Sequence, residues 1–324
     1  MAVKTLLYSA DAPDEMLELA TVAVGSLDER QLLWVDMGSP TPEEQAQVAR
    51  FLGCEPDLLD VRHATRARPS LVNFGAYFRM TAIAVSLRNG GEHVNHDGLI
   101  LIVGANHVVT VHEQGTDFLE GLRRREQGDS TIGALSAESF AASLLDWLLN
   151  TYFNVLDVIV HEVDRVEVSI LGKKVPARFL AELVKARRQV AHLRRALKLH
   201  RDVFYGLARP DFTATERPEA RPHFEALNKH YERAEDELET ARDLVIGSFE
   251  LLSTRAAQKT NETMRALTFV TVLMGSLALI AGIMGMNFQL QFFETGFLGF
   301  VVVTGSMVAL SALAVWVAFR RSWI

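Results

Sequence analysis

Three spacings of apolar residues divide this chain. The simplest pattern comes last. Ala266 to Met286 and Phe297 to Phe319 contain no Asp, Glu, Lys or Arg and run for about 21 and about 23 residues, enough for each to cross a bilayer as a helix. The short segment Phe288 to Gly296 joins them, which predicts a hairpin of two spans. Ahead of the first span, Phe224, Leu227, Tyr231, Ala234, Leu238, Ala241 and Val245 alternate steps of three and four, a seam of about three heptads. Pro222 is the last proline, and Gly247 is the one helix-weakening residue before the span. The pattern predicts a single helix from about His223 to Met284, roughly 90 Å long at 1.5 Å per residue. The competing pattern is two helices meeting near Gly247. A helix of that length needs partners along its seam.

Upstream the spacing is also helical. Ser139 to about Leu171 and Ala177 to about Leu207 are apolar at helical intervals, interrupted by Gly172-Lys173-Lys174-Val175-Pro176, which predicts a long antiparallel helical hairpin. Ala208 to Pro222 is rich in turn residues. The N-terminal third mixes the two periods. Gln31 to Met37 has the length of a buried strand. Thr41-Pro42-Glu43-Glu44 combines a capping hydroxyl, a proline at the first helical position and an acid three residues on, and the helix it opens stops at Gly53. Leu71 to Leu87 is rich in β-branched and aromatic residues. Leu99 to Val103 and His107 to His112 flank Gly104-Ala105-Asn106 as a β-hairpin, and Thr116 to about Gln127 reads as a helix.

These elements give an α+β cytoplasmic domain, a long-helix stalk and a two-helix transmembrane hairpin. The expected divisions are 1–135 for the α/β domain, 136–222 for the helical hairpin and linker, and 223–265 for the cytoplasmic part of the stalk. The first span is 266–287, the outer loop 288–296, and the second span with its basic tail 297–324.

Charge orients the hairpin. Arg255, Lys259 and Arg265 precede the first span, Arg320 and Arg321 follow the second, and the loop between holds one acid, Glu294, and no base. The positive-inside rule places both termini in the cytosol, with the chain in a cell's inner membrane. The first residues have no signal-peptide pattern, and Trp323 suits an interfacial anchor. A formal net charge of −7 argues against a nucleic-acid partner and is compatible with cation handling. Cys54 is the one cysteine, so no intrachain disulfide forms, and it reads as a packed apolar residue rather than a nucleophile.

Gly285-Met286-Asn287 closes the first span at its outer end. That tripeptide, a giant helix leading into it, an N-terminal α/β domain, two C-terminal spans and a basic tail together resemble the CorA magnesium transporter superfamily across the whole chain. The resemblance implies a homopentameric funnel in lipid, with first spans lining a central pore and second spans outside them. It also implies passive, potential-driven influx of divalent cations, with Gly285, Met286 and Asn287 as the selectivity filter. The chemistry has its own rationale. Mg²⁺ sheds water reluctantly and prefers oxygen, so a ring of Asn287 amide oxygens and nearby carbonyls would accept hydrogen bonds from the ion's water shell. Converging helix C-termini add partial negative charge. Gly285 allows close backbone approach and an unusual dihedral, and Met286 packs. Taken alone, Asn287 reads equally as a helix cap.

Counting back along the helix from Asn287 selects Gly282, Ala278, Gly275 or Met274, Thr271, Leu267, Met264 and Asn261 as the pore row. Met264 and Leu267 match the hydrophobic constriction of the family, where a ring gates by dewetting. Asn261 would ring the inner mouth, Thr271 would offer a hydroxyl, and Gly275 would widen the middle.

The loop Phe288-Gln289-Leu290-Gln291-Phe292-Phe293-Glu294 keeps an aromatic after the asparagine but lacks the Met-Pro-Glu that follows in magnesium-transporting members. Glu294, one position late, is the outer-loop candidate for concentrating cations. The departure leaves Mg²⁺, Zn²⁺, Co²⁺ and Ni²⁺ open as cargo, the last three through the ZntB-like branch, and no cofactor is called for. Glu225 and Asp236 are the candidates for a regulatory metal site among the stalk acids.

Other constellations carry less. His93 and His96-Asp97, beside Gly90 and Gly91, read as a solvated turn. His161-Glu162 with Asp164 and Glu167 reads as a charged helix face without the second histidine of a zinc-protease motif, and no phosphate-binding loop or catalytic triad is present. Two functions follow: a divalent-cation channel or transporter, which is not an enzyme, or a non-conducting membrane-anchored scaffold or sensor on the same fold.

Overall fold

The structure is a computed structural model that describes residues 3–19, 27, 28, 30–61, 68–88, 93–113, 119, 135–172, 178–212, 220–286 and 296–321. It divides into two compact units, Met1–Ser248 and Phe249–Ile324.

A seven-stranded mixed sheet organises the first unit, with strand order β2-β1-β3-β7-β6-β5-β4. The strands are β1 (Val3–Ser9), β2 (Glu15–Leu17), β3 (Gln31–Gly38), β4 (Ser70–Asn73), β5 (Phe78–Arg88), β6 (His93–Val103) and β7 (His107–His112). Central β3 runs parallel to β7 and antiparallel to β1. It is buried on both faces, which is why it reads as a continuous apolar run rather than an alternation. The β6–β7 hairpin closes where Gly104-Ala105-Asn106 predicted it. β1 and β2 have no counterpart among the sequence-predicted elements. They are short, and β1 buries only two of its seven residues.

The parallel pair needs a crossover, and α1 (Pro42–Leu52) begins it. Thr41 Oγ1 accepts from the Glu44 N–H and Glu44 Oε2 accepts from the Thr41 N–H at 2.8 Å, the reciprocal cap expected from the sequence. Gly53 ends the helix at φ 66°, a left-handed conformation that suits glycine. Val48 and Ala49 of α1 pack on Leu33, Val35 and Met37 of β3, with Ile100, Ile102, Val109 and Val111 beside them.

The opposite sheet face packs against α2 (Ala137–Ile170), where Phe140 meets Trp34 edge-on at 5.4 Å and Tyr8 at 6.1 Å. Leu71 to Leu87 resolves into β4 and β5, turned by a Phe74 N–H that donates to the Tyr77 carbonyl at 2.9 Å. Of the expected helix at 116–127, only Leu119 lies within the described residues; it is helical and buried.

The second helix of the hairpin is shorter than predicted. The pattern from Ala177 to Leu207 divides into α3 (Arg178–Lys198) and α4 (Arg201–Ala208). The break at Leu199–His200 is tightened by bonds to residues three back, Leu199 N–H to Ala196 O and His200 N–H to Leu197 O. It has a purpose in the sheet. β4 pairs with β5 only as far as Thr81, which leaves the next stretch of β5 an open edge. His200 Nε2 accepts from the Ile83 N–H at 2.8 Å, the Tyr152 hydroxyl donates to the Ile83 carbonyl at 2.9 Å, and the Val85 N–H donates to Thr151 Oγ1 at 3.2 Å. Side chains thus occupy the edge where a further strand would pair.

α5 (Arg221–Met284) is one helix of 64 residues, without a break at Gly247. All seven seam residues, Phe224 through Val245, are buried, and Ser248 joins them as an eighth. Asp146 Oδ1 bonds His230 Nδ1, and Glu167 Oε1 accepts from Ser248 Oγ at 2.6 Å. The two contacts advance together along both helices, so α2 runs parallel to this part of α5. The second span is α6 (Gly296–Arg320), and both spans meet the length and composition of membrane-crossing helices.

Candidate cation-conducting face

Within the second unit the two spans shield each other along one stripe each. On α5 the less exposed residues are Ala266, Phe269, Leu273, Leu277, Ile280 and Met284. On α6 they are Gly299, Val303, Met307, Ser311, Ala314 and Ala318. Leu277 shares a cleft with Met307, Ser311 and Trp316 of α6.

The sequence-predicted pore row lies elsewhere on α5. Asn261, Met264, Leu267, Thr271, Gly275, Ala278 and Gly282 are all exposed, Met264 and Leu267 by 56% and 61%. At 100° per residue, the row from Met264 to Gly282 spans an arc of about 80°, and its middle is nearly opposite the stripe facing α6. Asn261 sits about 60° to one side of Met264, and Met274 about 100° from Gly275. A helix from one chain therefore has one covered face and one open face, and the open face carries the hydroxyl and the small residues.

Hydroxyl orientation adds a feature to this face. Thr271 Oγ1 donates to the Leu267 carbonyl at 2.9 Å and Thr268 Oγ1 to the Met264 carbonyl at 2.8 Å. Thr260 Oγ1 donates to the Ala256 carbonyl at 3.0 Å. Thr260 is missing from the sequence-derived row, although it is three turns before Thr271 and only about 20° from it around the helix. Counting back from Asn287 reached its neighbour Asn261 instead.

The helix ends where the tripeptide begins. The Gly285 N–H donates to the Ala281 carbonyl at 2.9 Å and the Met286 N–H to the Ile283 carbonyl at 3.3 Å. The dihedral freedom that Gly285 allows is not used as a positive φ here: the described glycines at positive φ are Gly53, Gly75 and Gly296. A Cβ on Gly285 would touch only carbonyls of its own last turn, at 3.4 Å and 3.6 Å. Met286 is half-exposed. Asn287 and Glu294 lie outside the described residues.

The regulatory candidates are apart. Glu225 is exposed and tied to Arg221 at 3.0 Å. Asp236 is exposed and a further roughly 16 Å along the helix. Among the described residues no three His, Cys, Asp or Glu side chains gather to hold a metal.

His93, His96 and Asp97 do not form the turn expected of them but lie in β6. Asp97 is buried and accepts from Ser86 Oγ at 3.1 Å and Asn95 Nδ2 at 2.6 Å. Burial, then the nearby His192, lowers the His96 pKa, with Asp97 opposing. The acids near His161 do form a helix face: Glu162 pairs with Lys185 at 3.8 Å.

Comparison with known proteins agrees with this architecture. Residues 29–321 match the family described as CorA-like Mg2+ transporter protein. The chain is 25% identical to the cobalt/magnesium transport protein CorA of Thermotoga maritima, over 99% of this chain and 92% of that protein. The complete structure of the CorA magnesium transporter from Methanocaldococcus jannaschii superposes with a TM-score of 0.77 at 20% identity, covering 100% of this chain and 99% of that one. The full-length CmaX structure gives 0.72 at 22% identity, covering 97% of each. The chain belongs to the CorA-like Mg²⁺ transporter family, a family of transporters and not of enzymes.

Proposed function

We propose that the protein carries hydrated divalent cations across the inner membrane through a pore made by five copies of α5, with α6 outside and both termini in the cytosol. The observation that carries this reading is the open face of α5, set against the stripe that faces α6. In an assembly around an axis, that face would meet water, and Asn287 at its outer end would meet the incoming ion. Met264 and Leu267 would form the apolar constriction, and Asn261 the inner polar ring. Glu294 would concentrate cations outside, as rings of charge do. Glu225 and Asp236 would hold a regulatory cation only with groups from another copy, since one chain does not bring them together.

Mg²⁺ is the first cargo to test, with Co²⁺, Ni²⁺ and Zn²⁺ beside it. The test is uptake of each ion into proteoliposomes, with and without a pH gradient. The expected result is saturable divalent uptake that Asn287→Ala deprives of selectivity without changing the size of the oligomer. Wild-type vesicles that admit none of the four ions would overturn transport and leave a membrane-anchored scaffold.

A further inference from the structure

The cleft between the spans has a volume of about 840 Å³. Leu277 forms its α5 wall, and a row on α6 from Thr304 to Phe319 forms the rest. No charged residue lines it, and the Ser311 hydroxyl spends its proton on the Met307 carbonyl at 2.8 Å. The row covers roughly 22 Å along α6, against about 15 Å for one leaflet's half of the hydrocarbon core. Trp316, part of the lining, stands about 180° round α6 from Met307, which belongs to the stripe facing α5. The cleft therefore wraps from the α5 side of α6 round its flank and opens outward.

Its far end is basic. The Arg320 guanidinium turns back over the Trp316 ring, 5.3 Å from the ring centre. Arg321 continues the last turn, its N–H donating to the Val317 carbonyl at 3.0 Å. α6 contains no acidic residue to pair with either arginine. Trp316 and Phe319, just inside this end, are 56% and 69% exposed. A guanidinium stacked on an aromatic face keeps its donors free at the edge, in the fork that matches a phosphate. We propose that the cleft binds an anionic phospholipid, with its phosphate on Arg320 and Arg321 and one acyl chain lying along Phe319, Trp316, Val315 and Ser311 toward Leu277. A zwitterionic lipid would set its own ammonium against the two guanidinium groups, which favours a headgroup of net negative charge. A parallel second copy would bring its own Arg320 and Arg321 to the same level, which adds to the need for an anion instead of meeting it. The inference rests on the two spans lying in a bilayer and is independent of whether the pore conducts.

The experiment uses the full chain in phosphatidylcholine vesicles that contain a small fraction of lipid brominated on its acyl chains, either phosphatidylglycerol or phosphatidylcholine. Bromine quenches a tryptophan it touches. Trp323→Phe leaves Trp316 as the tryptophan of the second unit, since Trp34 and Trp147 belong to the first. Brominated phosphatidylglycerol should quench Trp316 at fractions where brominated phosphatidylcholine has little effect. Arg320→Gln and Arg321→Gln should each lower that preference about fivefold, the factor expected of one base at a lipid surface. Arg321→Gln leaves the Arg320 stack on Trp316 in place, so its effect reports the headgroup and not a changed fluorophore. Equal quenching by the two lipids would make this an ordinary lipid-facing surface and overturn the site. Absence of quenching by either would mean that another copy covers the cleft, which also overturns it. A preference that survives both arginine variants would overturn the headgroup assignment. Mg²⁺ uptake by the same vesicles reads the proposed pore separately: uptake without lipid preference leaves the pore and removes this site, and preference without uptake does the reverse.

Discussion

The two halves of α5 use their apolar residues in opposite ways, the first burying a narrow seam and the second leaving a wider apolar surface exposed. From Phe224 to Ser248, one residue in every three or four is buried, and most of the remaining residues are charged. From Phe249 to Met284 no residue is buried, and Met264, Leu267, Val272 and Leu279 all stand more than half exposed. The first half meets its partners within its own chain, so its seam is narrow and faces one way. The second half meets one helix of its own chain, and its remaining apolar surface is the part that the proposed assembly would give to lipid and other copies. An apolar stripe on a single chain is therefore a packing instruction in one half and, in the proposed pore, an assembly instruction in the other.

The sharpest way to break this comparison is to make the same kind of change in both halves. Leu238→Ala, at a seam residue 1% exposed, should cost about 3 kcal/mol and lower the melting temperature of the detergent-solubilised protein. Leu267→Gly should leave the selectivity proposed for Asn287 in place but raise leak through the proposed constriction. A seam variant that melts like wild type, or a Leu267 variant with unchanged flux, would erase the distinction.

A second test sharpens the first half alone. Burial pushes the His200 pKa down from 6.5 to about 4. Its Nδ1–H donates to the Ala196 carbonyl, and the neutral Nε2 accepts from Ile83. A depressed histidine pKa means that the unfolded chain binds the proton more readily. The stability held by the neutral ring is complete above pH 6.5 and is lost as pH falls toward 4, by about 2 kcal/mol at about pH 5. His200→Gln, which keeps an acceptor without a titrating ring, should flatten the decline in melting temperature between about pH 7.5 and pH 5. An equally steep decline would remove His200 as its source.

The smallest expected effect is at the junction of the halves. A Cβ on Gly247 would meet nothing within 4 Å, so Gly247→Ala should stabilise the helix by about 0.5–1 kcal/mol. Its melting temperature should rise slightly while uptake stays unchanged. A loss of uptake would show that the glycine serves bending rather than mere tolerance.

What was legible in the sequence follows from how local the causes are. The capping box at Thr41 and the stop at Gly53 are written within a dozen residues, and the structure reproduces both. The Phe224–Val245 seam is periodic, and every member is buried. The open row from Met264 to Gly282 followed from the same counting. By contrast, His200 interrupts a good helical pattern because a strand over a hundred residues earlier needs an acceptor, and nothing in the local sequence signals that need. His93 and His96 read locally as a turn because glycines precede them, but pairing with β5 extends β6 through them.

The stoppered edge of β5 also constrains how copies can join. β2 and β4, the outermost strands, have only three and four residues, and the stretch that β4 leaves uncovered is sealed by Thr151, Tyr152 and His200. Strand-by-strand recruitment, the route by which sheets fuse into fibres, finds little template here. In the proposed assembly, association between copies would thereby be steered onto helical surfaces, where it can close into a ring instead of propagating without limit.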